Sequence, residues 1–413
     1  MPKRFAAGLV SGAVLASALA VPSLAQDVAV RGGTVHTMAG PAIEDGVVVI
    51  RDGKIVAVGP AATTPVPQGL ETLTAEVVTP GLVDARTVVG LAGYLNQEDD
   101  QDQLDEGAPI QPHLRAIDGY DPAETLVDWL RNFGVTTIHT GHGPGTLVSG
   151  QTMVAKTWAR TADAAAIVPR AMVAANLGPG SLGDEGGAPG TRAKQIAMIR
   201  TALTQARTRA ALDNTERDQA KGTDAEVPGL EEQVMREVIQ GRLPLMVTAN
   251  RAQDIMNALR LKEEFGIDLV LDGAAESYLL LDEIRTAEVS VILHPTMTRH
   301  GGDYQNASFT TAAKLAEAGI PFALQSGFEG YVPKTRVILF EAAVAAANGL
   351  PWNDALETIT IDAARIIGVG DRLGSLEVGK DGDVAMFDGD PFEYTTHATG
   401  VVIGGQVASR AVQ

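Results

Sequence analysis

The chain has 413 residues, with 32 basic against 51 acidic side chains, a net charge of −19 and no cysteine. Such an acidic surface repels nucleic acid and anionic lipid, and the lack of cysteine excludes disulfides, thiolate metal sites and thiol nucleophiles. The length suits one large domain with a small one beside it.

The first 25 residues read as a targeting segment. Lys3 and Arg4 give a positive start, Phe5 to Val21 is apolar and uncharged, and Ser23-Leu24-Ala25 offers small residues before a cleavage point at Gln26. A membrane anchor is the alternative, but the apolar core is short and rich in Ala and Gly for a span of about 20 residues. Cleavage removes two of the 32 basic residues and none of the 51 acidic ones, leaving a mature charge of −21. No later stretch is long and apolar enough to cross a bilayer. The segment predicts a periplasmic or secreted, soluble chain with no membrane association after cleavage.

Residues 27–79 alternate like short strands. Asp27 to His36 is one strand with a Gly turn, and Gly46 to Gly59 holds two strands around the hairpin pair Asp52-Gly53. The C-terminus has the same texture in Asp383 to Phe387 and Val401 to Val407. Neither end buries much apolar area alone, so both are expected to form one small β-sandwich, from residues 26–79 and 372–413. Between them, apolar runs alternate with helical stretches: Val135 to Ile138, Leu245 to Thr248, Leu269 to Leu271, Val289 to Leu293 and Pro321 to Leu324. Helices are expected at Ala252 to Phe265 and Thr311 to Ala318. This alternation predicts a parallel α/β sheet over residues 80–371, closed as a (β/α)8 TIM-like barrel, with a doubly wound sheet as the other solution. Residues 191–240 are polar and helical and show no clear fourth strand.

Several segments resemble the amidohydrolase superfamily, in its imidazolonepropionase-like branch. Gly33-Thr-Val-His36 and Asp52-Gly-Lys-Ile-Val-Ala-Val-Gly59 are similar to its opening. Val78-Thr-Pro-Gly-Leu-Val-Asp84 is similar to the entry into the barrel, and Ala363 to Gly368 with Gly374 to Asp383 to the return from it. The resemblance implies hydrolysis of C–N bonds other than peptide bonds by a metal-activated water at the carboxyl ends of the strands. It implies His-x-His after the first strand, Lys or Glu on the fourth, His on the fifth and sixth, and Asp on the eighth. Carried onto this chain, those positions hold Arg86 and Val88, Thr248, Asp272 or Gly273, and Gly327. Arg has no lone pair to offer and Val cannot ligate, so no metal is expected at the family positions.

Other residues near the expected mouth remain candidates. His139, His142 and His294 offer a relocated single-metal site, with His300 nearby; alternatively they pack or hydrogen-bond at strand ends. Glu98 to Glu106 is an acidic run that either holds a hard cation or is simply solvated. Gly178-Pro-Gly-Ser-Leu-Gly183 fits a dinucleotide fingerprint in spacing but is followed by more Gly and Pro, as in a loop. Ser149 and Ser326 lack a nucleophile elbow. Glu329, Lys334 and Arg336 either cap and solvate the next helix or join Asp84 and Arg86 in a charge-paired replacement for the metal cluster, which repairs the electrostatics or binds a ligand carboxylate.

The combined expectation is an exported protein with a degraded metal site. It is a non-catalytic or partner subunit of a hydrolase, as a homo-oligomer or beside an active amidohydrolase relative, with room for a small-molecule ligand and no cofactor. The alternative is an active hydrolase of cyclic amides or acyl-amino acids. It would use a relocated divalent metal or acid–base residues among Asp84, Arg86, His139, His142, His294, Glu329 and Lys334.

Overall fold

The computed structural model describes residues 27–95, 97–183, 186–219, 229–298, 301–327 and 338–413. The targeting segment, His300, Glu329, Lys334 and Arg336 lie outside the described residues. Among the described residues no helix is long and apolar enough to cross a membrane.

Both ends of the chain meet in one seven-stranded sheet, where two packed sheets were expected. It comprises β1 (Val28–Val35), β2 (Ile43–Arg51), β3 (Lys54–Pro60), β4 (Glu71–Pro80), β15 (Val384–Phe387), β16 (Ala398–Ile403) and β17 (Gln406–Ser409). The β2–β3 turn is the one the sequence announces: Asp52 and Gly53 have φ of +49° and +75°, and the mirror-image hairpin turn needs positive φ at both. One face of the sheet packs on itself through Val30, Val48, Ile50, Val78, Val384 and Val402. The opposite face presents Ala385, Phe387 and Ala398 to the large core. One sheet thus serves two cores.

The larger unit is a ring of short strands. They are β5 (Leu82–Thr87), β6 (Val135–Thr140), β7 (Val148–Gln151), β8 (Met153–Lys156), β9 (Ala166–Val168), β10 (Val173–Asn176), β11 (Leu245–Ala249), β12 (Leu269–Gly273), β13 (Ser290–Leu293) and β14 (Phe322–Leu324). β5 runs parallel to β6, and β10 to β14 run parallel in order. Between these groups lies the nearly continuous β7–β8 segment, antiparallel to β10 on one side and β6 on the other. The expected (β/α)8 repeat is therefore broken at its third place. The fourth place is held by β10, while residues 191–240 supply the helices Arg192–Gln219 and Leu230–Ile239.

The ring is closed by packing and not by a strand ladder. Val83 N–H donates to Ile359 O (2.8 Å) and Leu324 N–H to Thr358 O (3.1 Å), so Thr358-Ile359 satisfies groups that a β14–β5 pairing would otherwise use. Inside, Val83, Ala85, Val154, Ala174, Met246, Val270, Ile292 and Ala323 form a lumen core, while Leu245, Val247, Leu271, Val291 and Leu293 belong to the core outside the ring. Alternation along each strand produces this split.

The sheet and the ring are tied by an ion cluster whose carboxylates are buried. Lys156 on β8 pairs with Asp383 and lies 3.3 Å from Asp381, which also meets Lys54 (2.6 Å) and Arg372 (3.0 Å). Burial pushes the Asp381 carboxyl up, but the three cations outweigh it and hold it below the usual carboxylate range. Lys156→Met leaves Asp383 at 5 % exposure without its cation, which should cost about 3 kcal/mol in denaturant titration.

Candidate functional site

The carboxyl ends of the strands carry the polar layer. Two residues beyond the lumen residues Ala174, Met246, Val270, Ile292 and Ala323, the inward positions fall on Asn176, Thr248, Asp272, His294 and Gln325. A ring of apolar side chains therefore supports a ring of polar ones. Asp272 is held from two sides: Thr248 Oγ1 donates to Oδ2 (2.5 Å) and Gln325 Nε2 to Oδ1 (2.7 Å). Gln325 Nε2 also donates to Ile292 O at 2.9 Å.

Arg86 enters this layer from β5 and is 4 % exposed. Its guanidinium donates to Thr87 O (2.7 Å) and to His142 O. Burial lowers its pKa, while the charges of Asp272 and Asp84 act in the opposite direction. Asp84 is fully buried and accepts from Ser326 N–H (3.1 Å), Ser326 Oγ and Arg86 N–H (3.2 Å). Burial nevertheless raises its carboxyl to about 6. Ser326 thereby ties the end of β14 to β5, on the side where the ladder is missing.

The structure separates the three candidate histidines by environment. His139 has no exposure, and its Nδ1–H donates to Ala85 O (2.8 Å). That fixes Nε2 as the acceptor of Thr152 Oγ1–H at 2.6 Å, so both nitrogens are occupied by a neutral ring. Burial, with Arg86 nearby, lowers its pKa to about 3. His142 is 7 % exposed and lies beside Gly150; burial and Arg86 lower it to about 4. The His294 ring sits over Gly327, where an added Cβ would lie 2.7 Å from the ring. Among the described residues, no three His, Asp or Glu side chains form a group that could hold a metal ion.

Arg86, Val88, Thr248, Asp272, Gly273 and Gly327 do come together, around a cavity of only about 20 Å³ that His294 and Tyr304 also line. That is room for about one water, against the several hundred Å³ of a typical ligand pocket. Gly327 has φ +76° in addition to its contact with His294. Gly327→Asp should therefore lower the melting temperature by several degrees, and loss of less than about 1 kcal/mol would show that the ring yields freely.

The remaining candidates are local structure. Asp100 accepts from Leu95 N–H (3.1 Å) and Gln97 N–H (2.8 Å), and Asp105 from Gly107 N–H (2.7 Å), so these carboxylates fold their own loop. The Gly178 loop is pinned by Gln195 (2.7 Å to Gly178 O), and the following helix starts only at Arg192. Ser149 lies buried in β7. Thr152 and Gln325 emerge only in three dimensions; Gln325, next to Ser326-Gly327 at the end of β14, was the more discoverable of the two.

Similarity to known proteins agrees with this architecture. The Amidohydrolase family profile matches residues 77–408. The imidazolonepropionase of Rhizorhabdus wittichii is 26 % identical over 386 residues, covering 87 % of this chain and 92 % of that protein. That of Sphingopyxis alaskensis is 27 % identical over 393 residues, covering 86 % and 91 %. Among solved structures, an amidohydrolase from Thermotoga maritima superposes with a TM-score of 0.87 at 26 % identity, over 93 % of this chain and all of that one. A molinate hydrolase at 16 % identity and TM-score 0.58 shares the fold. A TIM-barrel-type ring, a profile spanning most of the chain and full-length relatives all converge: the chain belongs to the amidohydrolase family, in its imidazolonepropionase-like branch.

Proposed function

We propose that this protein is an exported amidohydrolase relative in which a buried arginine stands where the family's metal centre would be, and that it works as a non-catalytic partner subunit. The observation that carries the reading is Arg86 itself, a cation buried at the strand ends that feels the charges of Asp272 and Asp84. A divalent ion placed there would meet a positive charge, and Asp272 and His294 alone are too few to hold it. Val88 has no donor atom, Gly327 has no side chain, and among the described residues no three His, Asp or Glu side chains gather there. The cavity there, of about 20 Å³, has no room for a substrate-sized ligand.

Elemental analysis of protein purified from its native compartment tests it. The reading expects less than about 0.1 Zn, Mn or Fe per chain, and near-stoichiometric metal overturns it. In the same preparation, a mature N-terminus at Gln26 and co-purification of an active amidohydrolase relative are the expected signatures of export and partnership.

One observation favours the second reading, an active C–N hydrolase using acid–base residues: Asp84 is held near 6, in the range of a working general acid or base. Hydrolysis of cyclic amides or acyl-amino acids that disappears in Asp84→Asn or His294→Ala would establish it.

A further inference from the structure

The small cavity over Arg86 is not the only opening at this end of the ring. A second one, of about 510 Å³, lies among the segments that follow β10, β11, β12 and β13 and shares no lining residue with the first. Its size is that of pockets that hold small metabolites. Its walls are Pro179, Arg192, Arg251, Gln253, Glu276 and Asn306, with Ala252 at the start of the helix Ala252–Phe265.

Two features point this pocket's donors toward an anion. Arg192 engages Asp254 through Nε alone (2.8 Å), leaving both terminal nitrogens without a protein partner among the described residues. Arg251 engages Asp303 through Nε (3.2 Å) and Gly302 O through Nη2 (2.7 Å), leaving Nη1. The two side chains are 32 % and 27 % exposed and held in place at the Nε side. The one carboxylate in the wall, Glu276, is 5 % exposed and accepts from Ala252 N–H and Asn306 Nδ2, both at 2.7 Å. Its charge is thus spread onto the pocket's own donors. Each guanidinium is paired with a carboxylate at its Nε side, so the cleft offers directed N–H donors on its terminal nitrogens and not a net positive charge.

We propose that this pocket is a binding site for a small organic anion, whose carboxylate or phosphate is taken by the terminal nitrogens of Arg192 and Arg251. Gln253, exposed on the rim, sets the polarity of the entrance. The site uses no residue of the Arg86 network, so it stands whether or not the family chemistry is retained.

Calorimetric titration of the full chain with succinate and, separately, inorganic phosphate tests the proposal, each at constant ionic strength. Saturable binding of at least one is expected, and which one binds identifies the anionic group. Gln253→Glu adds a like charge at the entrance without touching either ion pair, and should weaken binding by about fivefold. Arg192→Gln should abolish it, with circular dichroism confirming that the variant folds despite the loss of Asp254's partner. No saturable binding of either anion, or binding unchanged in a folded Gln253→Glu protein, would overturn the assignment.

Discussion

Arg86→Met is expected to destabilise the protein by about 3–5 kcal/mol, because removing one member of a buried charge network leaves the rest uncompensated. Asp84 and Asp272 both lose their cation, and the carbonyls of Thr87 and His142 lose a donor. A fall in melting temperature of about 4–6 °C should follow. Arg86→Lys should recover only part of it, since an ammonium cannot span both carbonyls as the guanidinium fork does. If Arg86→Met left the denaturation midpoint unchanged, the guanidinium would be a bystander and not the centre of the layer.

Acidification gives the second large effect. His139 and His142 are held neutral in the folded state, at about 3 and about 4, whereas both protonate near 6.5 when unfolded. The unfolded state therefore binds more protons below pH 6.5, and stability falls as pH drops from there toward 4, by about 1.4 kcal/mol per unit for each ring. Asp84 has the opposite sign. Its folded carboxyl, at about 6, binds a proton that the unfolded chain releases down to about 4, so acidification between those values returns about 1.4 kcal/mol per unit. From these three groups, the protein at pH 5 should be about 2–3 kcal/mol less stable than at pH 7. Equilibrium denaturation across that range should show a clearly shallower slope in His142→Asn and a steeper one in Asp84→Asn. Identical slopes in all three proteins would mean that neither ring nor carboxyl is shifted as described.

Much of the scaffold was legible because its signals are local. Asp52-Gly53 asks for a mirror-image turn, and runs such as Leu269 to Leu271 are too apolar for a strand with one wet face. β10 escaped because Val173-Ala-Ala-Asn176 is short and Ala-rich, and its role comes from pairing with β11. Nothing local tells β8 to run against its neighbours, or Thr358-Ile359 to take the hydrogen bonds beside β14. At the mouth, the grouping of Arg86, Thr248, Asp272 and Gly327 followed from resemblance and strand order. The Thr152 hydroxyl on His139 and the His294 ring over Gly327 are contacts between separate strands, which no spacing within one strand encodes.

The most direct test of the account is thermal unfolding of the chelator-treated protein with and without excess Zn²⁺ or Mn²⁺. A specific ion at a hundredfold its dissociation constant adds about 2.7 kcal/mol to the folded state. With Arg86 in the layer, the midpoint should stay within about 1 °C. A metal-dependent rise of about 3 °C or more, with one ion bound per chain, would contradict the replacement of the metal centre by a buried cation.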